Sequence, residues 1–245
     1  MIILGDIGNT ETKICLINNN RIIKKILIPS KGKKIHILNK YFKRFDFTKL
    51  KKILFCSVVP KSFNLIKKYL IKKTKVKCNE VKHLNLKSLI KIKVNYKQVG
   101  SDRITNAISL MNNKDNFIIL DFGTATTFDV LIKNTYVGGI IAPGIRLSLN
   151  TLSDRATLIP KINLKLINKV IGKDTISAVR SGFFWGYAGL IDNIINLIKK
   201  ETRKSFNVII TGGFSELFKN SIKTKVNHNK NITINGLIKI TKLIK

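Results

Sequence analysis

Apolar and polar positions alternate in blocks along this chain, and the blocks come in two similar series. Residues 2–6, 12–18 and 21–28 are Ile-rich runs separated by Gly8-Asn9-Thr10 and by Asn18-Asn19-Asn20, a pattern that predicts three strands joined by tight turns. Ile53 to Val59 reads as a fourth strand, and Pro60 is well placed to open a helix that the pattern carries to Lys73. A strand over Val76 to Val81 and a helix over Asp102 to Met111 follow, while 85–98 has no clear period. The second series has strands at 117–121, 126–132 and 136–142, then a Pro143-Gly144 turn and a helix to about Leu152. Residues 153–172 are expected to hold a loop and a short helix, and a long helix is expected from Asp174 to Lys200. A strand at Val208 to Thr211 enters the Gly212-Gly213 turn and a short helix. The tail reads as a strand at 231–235 and then a short helix or strand.

The repetition extends to wording. Met1 to Ile17 is MIILGDIGNTETKICLI and Asn116 to Ile132 is NFIILDFGTATTFDVLI, so Asp6 and Asp121 lie 115 residues apart in a chain of 245. A repeated strand-turn-strand unit implies two α/β lobes of similar construction, with ligand turns at the carboxyl ends of the strands. We therefore expect an N-terminal lobe over 1–112, a C-terminal lobe over 113–245 and a cleft between them.

Charge changes the picture only at its edges. The net charge is +33, from 39 Lys and 7 Arg against 13 acids, which raises nucleic-acid or membrane-surface binding as a reading. Arg is the better phosphate fork yet is scarce, and aromatics do not interleave with the basic runs. The 41 Ile and 25 Asn share A/T-rich codons with Lys, so compositional drift is the competing account, and it leaves nucleic acid outside the expected partners. The lysines also avoid the motifs, with 22 between Lys24 and Lys97 but two, Lys114 and Lys133, between Gln98 and Pro160. The acids do the opposite: Asp6, Glu11, Asp102, Asp121 and Asp129 all fall in Gly/Thr-containing motifs, and Asp174 and Asp192 flank another. No run nears the ~20 apolar residues of a membrane span. The absence of a basic leader before an apolar stretch, and three cysteines without CxxC spacing, fit a reducing cytoplasmic setting.

The candidate chemistry is that of phosphate and cations. In Asp6-Ile7-Gly8-Asn9-Thr10-Glu11-Thr12-Lys13, the glycine lets backbone N–H groups approach a phosphate, and Asp6 is placed to hold Mg²⁺ through water. An Asx-capped hairpin would use the same residues. Asp121-Phe122-Gly123-Thr124-Ala125-Thr126-Thr127-Phe128-Asp129 has an acid at each end of the motif, which an ordinary Thr-rich hairpin leaves unexplained. Gly100-Ser101-Asp102-Arg103 enters a helix, where Asp102 is either a cap and salt-bridge partner or a base for a substrate hydroxyl. Gly138-Gly139-Ile140-Ile141-Ala142-Pro143-Gly144 and Thr211-Gly212-Gly213-Phe214-Ser215 suit close ligand approach or plain turns. Gly182, Gly186 and Gly189 recur at helical spacing, the signature of close helix packing.

Taken in this order, these blocks resemble the superfamily of acetate kinase, sugar kinases, actin and actin-like chaperones, whose lobes are ribonuclease H-like. More narrowly they resemble the type III pantothenate kinases, on DIGNTETK, GSDR, DFGTATTFD, GGIIAPG, the segment from Thr175 to Asp192, TGGFS and the closing ITINGL. The resemblance implies two ribonuclease H-like lobes with a nucleotide-binding cleft between them. It implies transfer of a phosphoryl group from ATP to pantothenate, giving 4′-phosphopantothenate at the first step toward coenzyme A. Asp6, Ile7, Gly8, Asn9, Thr10, Glu11, Thr12, Lys13 and Thr124 would then bind ATP and Asp102 would be the proton acceptor. Gly100, Ser101, Asp102, Arg103 and Thr175 would bind pantothenate. Asp121 would hold a monovalent cation, K⁺ or NH₄⁺, beside Mg²⁺, in a homodimer. The chain departs from the family at one place. The tyrosine expected seven residues before Gly100 falls on Lys93, and Tyr96 is the nearest candidate to make its substrate contact. A kinase of another small alcohol, or a nucleic-acid-binding relative on the same scaffold, stays open beside this reading.

Overall fold

The computed structural model describes residues 1–30, 35–86 and 88–244. Its backbone clusters into two units. One comprises Met1–Met111, Asn134–Tyr136 and Asn231–Lys245; the other comprises Asn112–Lys133 and Val137–Lys230.

The first unit is built on β1 (Ile2–Ile7), β2 (Glu11–Asn18), β3 (Arg21–Pro29), α1 (Ile35–Phe42), β4 (Lys52–Ser57), α2 (Pro60–Thr74), β5 (Cys78–Glu80), β6 (Lys91–Ile92) and α3 (Ser101–Leu110). Its sheet runs β3-β2-β1-β4-β5, with β2 antiparallel to β1 and β3, and with β4 and β5 parallel additions. The pleat sorts the side chains. Ile3, Ile7, Ile14, Leu16, Ile53 and Phe55 enter one core with Phe63, Ile66 and Leu70 of α2. On the other face lie Leu4, Asp6, Lys13, Cys15, Leu54 and Cys56, matched in register. Pro60 stands in the first turn of α2, as its fixed φ favours, and Lys75 ends that helix in the left-handed region at φ 61°.

The second unit repeats the plan with β7 (Asn116–Phe122), β8 (Ala125–Ile132), β9 (Thr135–Pro143), α4 (Ile145–Arg155), α5 (Thr175–Thr202), β10 (Asn207–Gly212), α6 (Ser215–Phe218) and β11 (Val226–His228). Its strands run β11-β10-β7-β8-β9, and the opening residues of β9, Thr135 and Tyr136, pair with β6. Counted from β7, this is the order of the first sheet, with β8 reversed against β7 and β10 parallel to it. Ile118, Leu120, Phe122, Phe128 and Val130 pack on Phe184, Ile191 and Ile195 of α5. Two α/β units of matching strand order are thus present, as the repeat implied.

Three expectations change. The strand expected at 231–235 is instead the start of a helix, α7 (Ile232–Leu243), which belongs with the first unit instead of the second. Its Ile and Thr content favours a strand, but burial at Thr233, Leu237 and Ile240 follows the helical period and packs α7 on α3, β1 and β4. The short helix expected within 153–172 does not form. There, Ile162 and Leu164 turn inward between exposed Lys161, Asn163 and Lys165, a period of two that holds the segment extended. The strand expected at Val76 to Val81 shrinks to Cys78–Glu80 and ends in a helical turn at Val81–His83.

Candidate active site

The first turn is built on the strand ends of β1 and β2. Asp6 lies opposite Lys13 on β2 and beside Cys56 on β4, so carboxylate, ammonium stem and thiol share one face. Gly8 N donates to Glu11 O at 3.0 Å and closes the loop. Asn9, Thr10 and Glu11 are exposed, Gly8 and Lys13 partly so, and Ile7 is in the core. Thr12 is fully buried and shares a hydrogen bond of 3.0 Å with Ser30 Oγ, so its hydroxyl braces the hairpin.

Asp6 is electrostatically unusual. Burial, then the charge of Asp102, push its carboxyl up to about 6, against the opposing pull of Lys13. Cys56 Sγ donates to Asp6 Oδ1 at 3.4 Å, and burial and the neighbouring carboxylates keep that thiol protonated. Asp102 is likewise raised above the ordinary carboxylate range, mainly by burial, although the Arg103 N–H donates to its Oδ1 at 2.8 Å. A pair of partly buried, raised carboxylates is poised for a cation or a proton.

Asp102 owes its place to Ser101. Ser57 N, at the end of β4, donates to Ser101 Oγ at 2.8 Å, and Ser101 Oγ donates to Ser57 O at 3.0 Å. Ser101 is 1% exposed, so its hydroxyl acts as a clamp that fastens the first turn of α3 to the strand beside Asp6. Buried Glu80 accepts from Ser57 N at 3.3 Å and from Lys82 N at 2.7 Å, steadying the same corner. Gly100 caps α3, and Arg103 is partly exposed on it. Tyr96 sits in a helical turn at Tyr96–Gln98, its hydroxyl 3.5 Å from Lys82 O and its phenol raised by burial and by Glu80.

In the second unit, Asp121 occupies the position of Asp6. Its register partners are Thr127 on β8 and Thr211 on β10. Gly212 adopts φ +88°, and a Cβ there would fall 2.5 Å from Asp121 Oδ1 and 2.6 Å from Phe122 N, so only glycine lets β10 end this close to the carboxylate. Gly123 N donates to Ala125 O at 3.1 Å, and Thr124 is exposed at the tip. Asp129 is fully buried. Thr175 is exposed at the start of α5, where Asp174 makes a capping box with Ser177. Asp192 accepts from Lys223 N at 2.8 Å and Thr224 N at 3.0 Å, a structural task.

The oxygen donors at both turns suit hard cations, and among the described residues no group of three or more His, Cys, Asp or Glu forms a closed metal cage. Such a donor set fits an ion that keeps several waters or phosphate oxygens.

A family model described as type III pantothenate kinase matches residues 2–197. The chain belongs to the type III pantothenate kinase family. A type III pantothenate kinase of Pelagibacter ubique is 68% identical with all of both chains covered. One of a Sulfurihydrogenibium species is 35% identical over 97% of this chain and 98% of its own. Among solved structures, a putative Baf family transcriptional activator from Campylobacter jejuni superposes with a TM-score of 0.60 at 20% identity, covering 98% of each chain. A putative 2-dehydro-3-deoxygalactonokinase from Sinorhizobium meliloti gives 0.59 at 9% identity, over 100% of this chain and 99% of its own. At such identities these two speak for the fold. For this member of the pantothenate kinase family, sequence reasoning finds Asp6, Asp102 and Asp121 but misses Cys56, whose Sγ donates to Asp6. The only signal for it is its position near the end of a strand.

Proposed function

We propose a division of labour for this chain, which phosphorylates pantothenate with ATP to give 4′-phosphopantothenate and ADP, the first step toward coenzyme A. Asp102 takes the proton of the substrate's primary hydroxyl, whose oxygen attacks the γ-phosphorus as ADP leaves. A carboxylate held above its ordinary range is the stronger base for that task. Arg103 supplies a guanidinium for the substrate carboxylate, with Gly100, Tyr96 and Thr175 as further contacts. The exposed tip Asn9-Thr10-Glu11, the Gly8 backbone and Lys13 meet the ATP phosphates, with Ile7 and Thr12 holding the loop in shape from inside. Thr124 contacts the nucleotide. Mg²⁺, held by Asp6 through water, would offset phosphate charge; Asp121 would take K⁺ or NH₄⁺.

The observation that carries this reading is the raised pair Asp6 and Asp102 in a chain matched from end to end by a type III pantothenate kinase. A homodimer is part of the proposal. Gly182, Gly186 and Gly189 form a strip on α5 with nothing within 4 Å of where a Cβ would stand, and Leu158, Val170 and Ile171 are exposed in the same unit. In the proposed homodimer a second copy packs closely at those glycines. Among the described residues no helix is long and apolar enough to cross a membrane. The three cysteines are free and buried, consistent with work in the cytoplasm. The test is ADP release by purified protein given pantothenate or other small alcohols, with and without K⁺. Turnover with pantothenate is expected; turnover with another alcohol and none with pantothenate would overturn the substrate.

A further inference from the structure

We propose that His228, at the end of β11, is a positioning residue that acts through Ser215 to fix the end of β10 against the Asp121 carboxylate. The proposal deepens the reading above, since it rests on Asp121 as the seat of the monovalent cation.

The chain of contacts lies within the second unit. Ser215 Oγ donates to Gly212 O at 2.6 Å, and His228 Nε2 stands 2.8 Å from that same hydroxyl. Ser215 is 2% exposed, so protein groups meet its hydroxyl. A serine hydroxyl has one proton, and a carbonyl oxygen only accepts. The proton goes to Gly212 O, so Nε2 carries a hydrogen and donates to Ser215 Oγ. The reverse assignment would press the hydroxyl lone pairs on the carbonyl at 2.6 Å with no proton between them. The chain thus runs one way, from the His228 ring through the Ser215 hydroxyl to the backbone of Gly212.

The ring is itself held. Nδ1 faces Glu216 Oε2 at 3.3 Å, and Glu216 is gripped by Lys219, three residues on, and by Lys230 Nζ at 3.0 Å. Lys219 and then Lys230 draw the Glu216 carboxyl down to about 2, so it stays an acceptor. Asn229 N donates to Ile210 O at 2.9 Å and fastens the backbone beside the ring to β10.

Gly212 has little slack. A Cβ on it would stand 2.5 Å from Asp121 Oδ1, and it is paired with Phe122. Gly213 N donates to Phe122 O at 3.0 Å, so β7 holds the turn from one side, and the Ser215–His228 pair holds it from the side of β11. Ser215 by itself could close onto a nearby carbonyl. The ring adds direction, since a donor at Nε2 leaves the hydroxyl proton only Gly212 O to serve. The place of Gly212 sets how closely backbone approaches Asp121, and with it the space left for a cation.

The test compares His228→Gln, whose amide nitrogen can stand where the ring Nε2 stands, with His228→Asn, whose shorter amide falls short of Ser215. Turnover is titrated with K⁺ at saturating ATP, Mg²⁺ and pantothenate, alongside amide hydrogen exchange over residues 211–214 and thermal melting. His228→Asn is expected to raise the K⁺ needed for half-maximal turnover about three- to tenfold, the scale of one net hydrogen bond. Its maximal turnover and its KM for pantothenate should stay within about twofold of wild type, since neither reports the cation. Amides over 211–214 should exchange several-fold faster in His228→Asn. His228→Gln should keep both the K⁺ midpoint and the exchange rates within about twofold of wild type. A folded His228→Asn enzyme with wild-type midpoint and exchange overturns the proposal, as does equal behaviour of Asn and Gln. Faster exchange with an unmoved midpoint also overturns it, because the turn would then be held for stability alone. Should His228→Asn fail to fold, Ser215→Ala breaks the same chain one step nearer Gly212, and unfolding of both overturns the positioning role. If wild-type turnover ignores K⁺, the cation reading fails by itself, and the exchange comparison still decides whether His228 fixes the turn.

Discussion

The two Asp-x-Gly turns hold the same place in two sheets of the same strand order, yet their neighbours differ in kind. Across from Asp6 stands Lys13, and across from Asp121 stands Thr127; beside Asp6 is Cys56, and beside Asp121 is Thr211. The first turn is also longer by one residue, since Asp6 pairs seven positions on and Asp121 six. A lysine and an exposed polar loop suit an anionic phosphate chain. Hydroxyls around a carboxylate, with a glycine strand end drawn against it, suit a bare cation. The fold is duplicated while the chemistry is not, because register positions can be changed without disturbing the pleat that packs the opposite face.

The comparison can be broken at several points. The largest effect belongs outside both turns. Asp102→Asn is expected to lower kcat about 10³-fold, within the range of a lost general base, with ADP affinity by calorimetry within about threefold of wild type. Near wild-type turnover would return Asp102 to the role of a helix-start carboxylate.

Asp6→Asn should lower kcat about 10²-fold, a loss of transition-state charge stabilisation, and in metal-free protein it should raise stability at pH 8. The sign follows from its raised carboxyl. Between the ordinary 3.8 and about 6 the folded chain keeps a proton that the unfolded chain has released. The contribution of Asp6 is thus fully present below about pH 4 and is lost as pH rises through 6. A shift of this size corresponds to roughly 2–3 kcal/mol. Urea titrations without metal should show wild-type stability falling from pH 4 to 7 relative to Asp6→Asn. Parallel profiles would mean that Asp6 is not strained in the free enzyme.

Gly212→Ala should cost about 1–3 kcal/mol, since it forces a side chain to φ +88° against Asp121. It should also raise the K⁺ needed for half-maximal turnover, and unchanged melting would contradict so close an approach of β10 to the carboxylate.

Much of the fold is legible in the amino-acid sequence. The Ile-rich runs and their Asn/Gly turns mark the strands of both units, because central strands buried on both faces read as continuous apolar runs. Asp6, Asp102 and Asp121 stand out because acids are scarce in a chain of +33 and gather in the motifs. Contacts made across great sequence separation leave no such trace. Thr233 donates to Asn106 Oδ1 across 127 residues, and ITINGL carries strand propensity that tertiary packing overrides in α7. Ser101 looks like a substrate ligand because it stands in GSDR, whereas its hydroxyl is consumed by the backbone of Ser57. Thr12 misleads in the same way, since its hydroxyl faces Ser30 inside the hairpin.

The inequality of the two turns is tested most directly by a K⁺ titration of ATP turnover at saturating Mg²⁺ and pantothenate, run on wild type, Asp6→Asn and Asp121→Asn. Asp121→Asn should need at least about tenfold more K⁺ while keeping measurable maximal turnover. Asp6→Asn should lose maximal turnover with its K⁺ midpoint in place. A wild-type K⁺ midpoint in Asp121→Asn, or a shifted one in Asp6→Asn, would contradict that inequality.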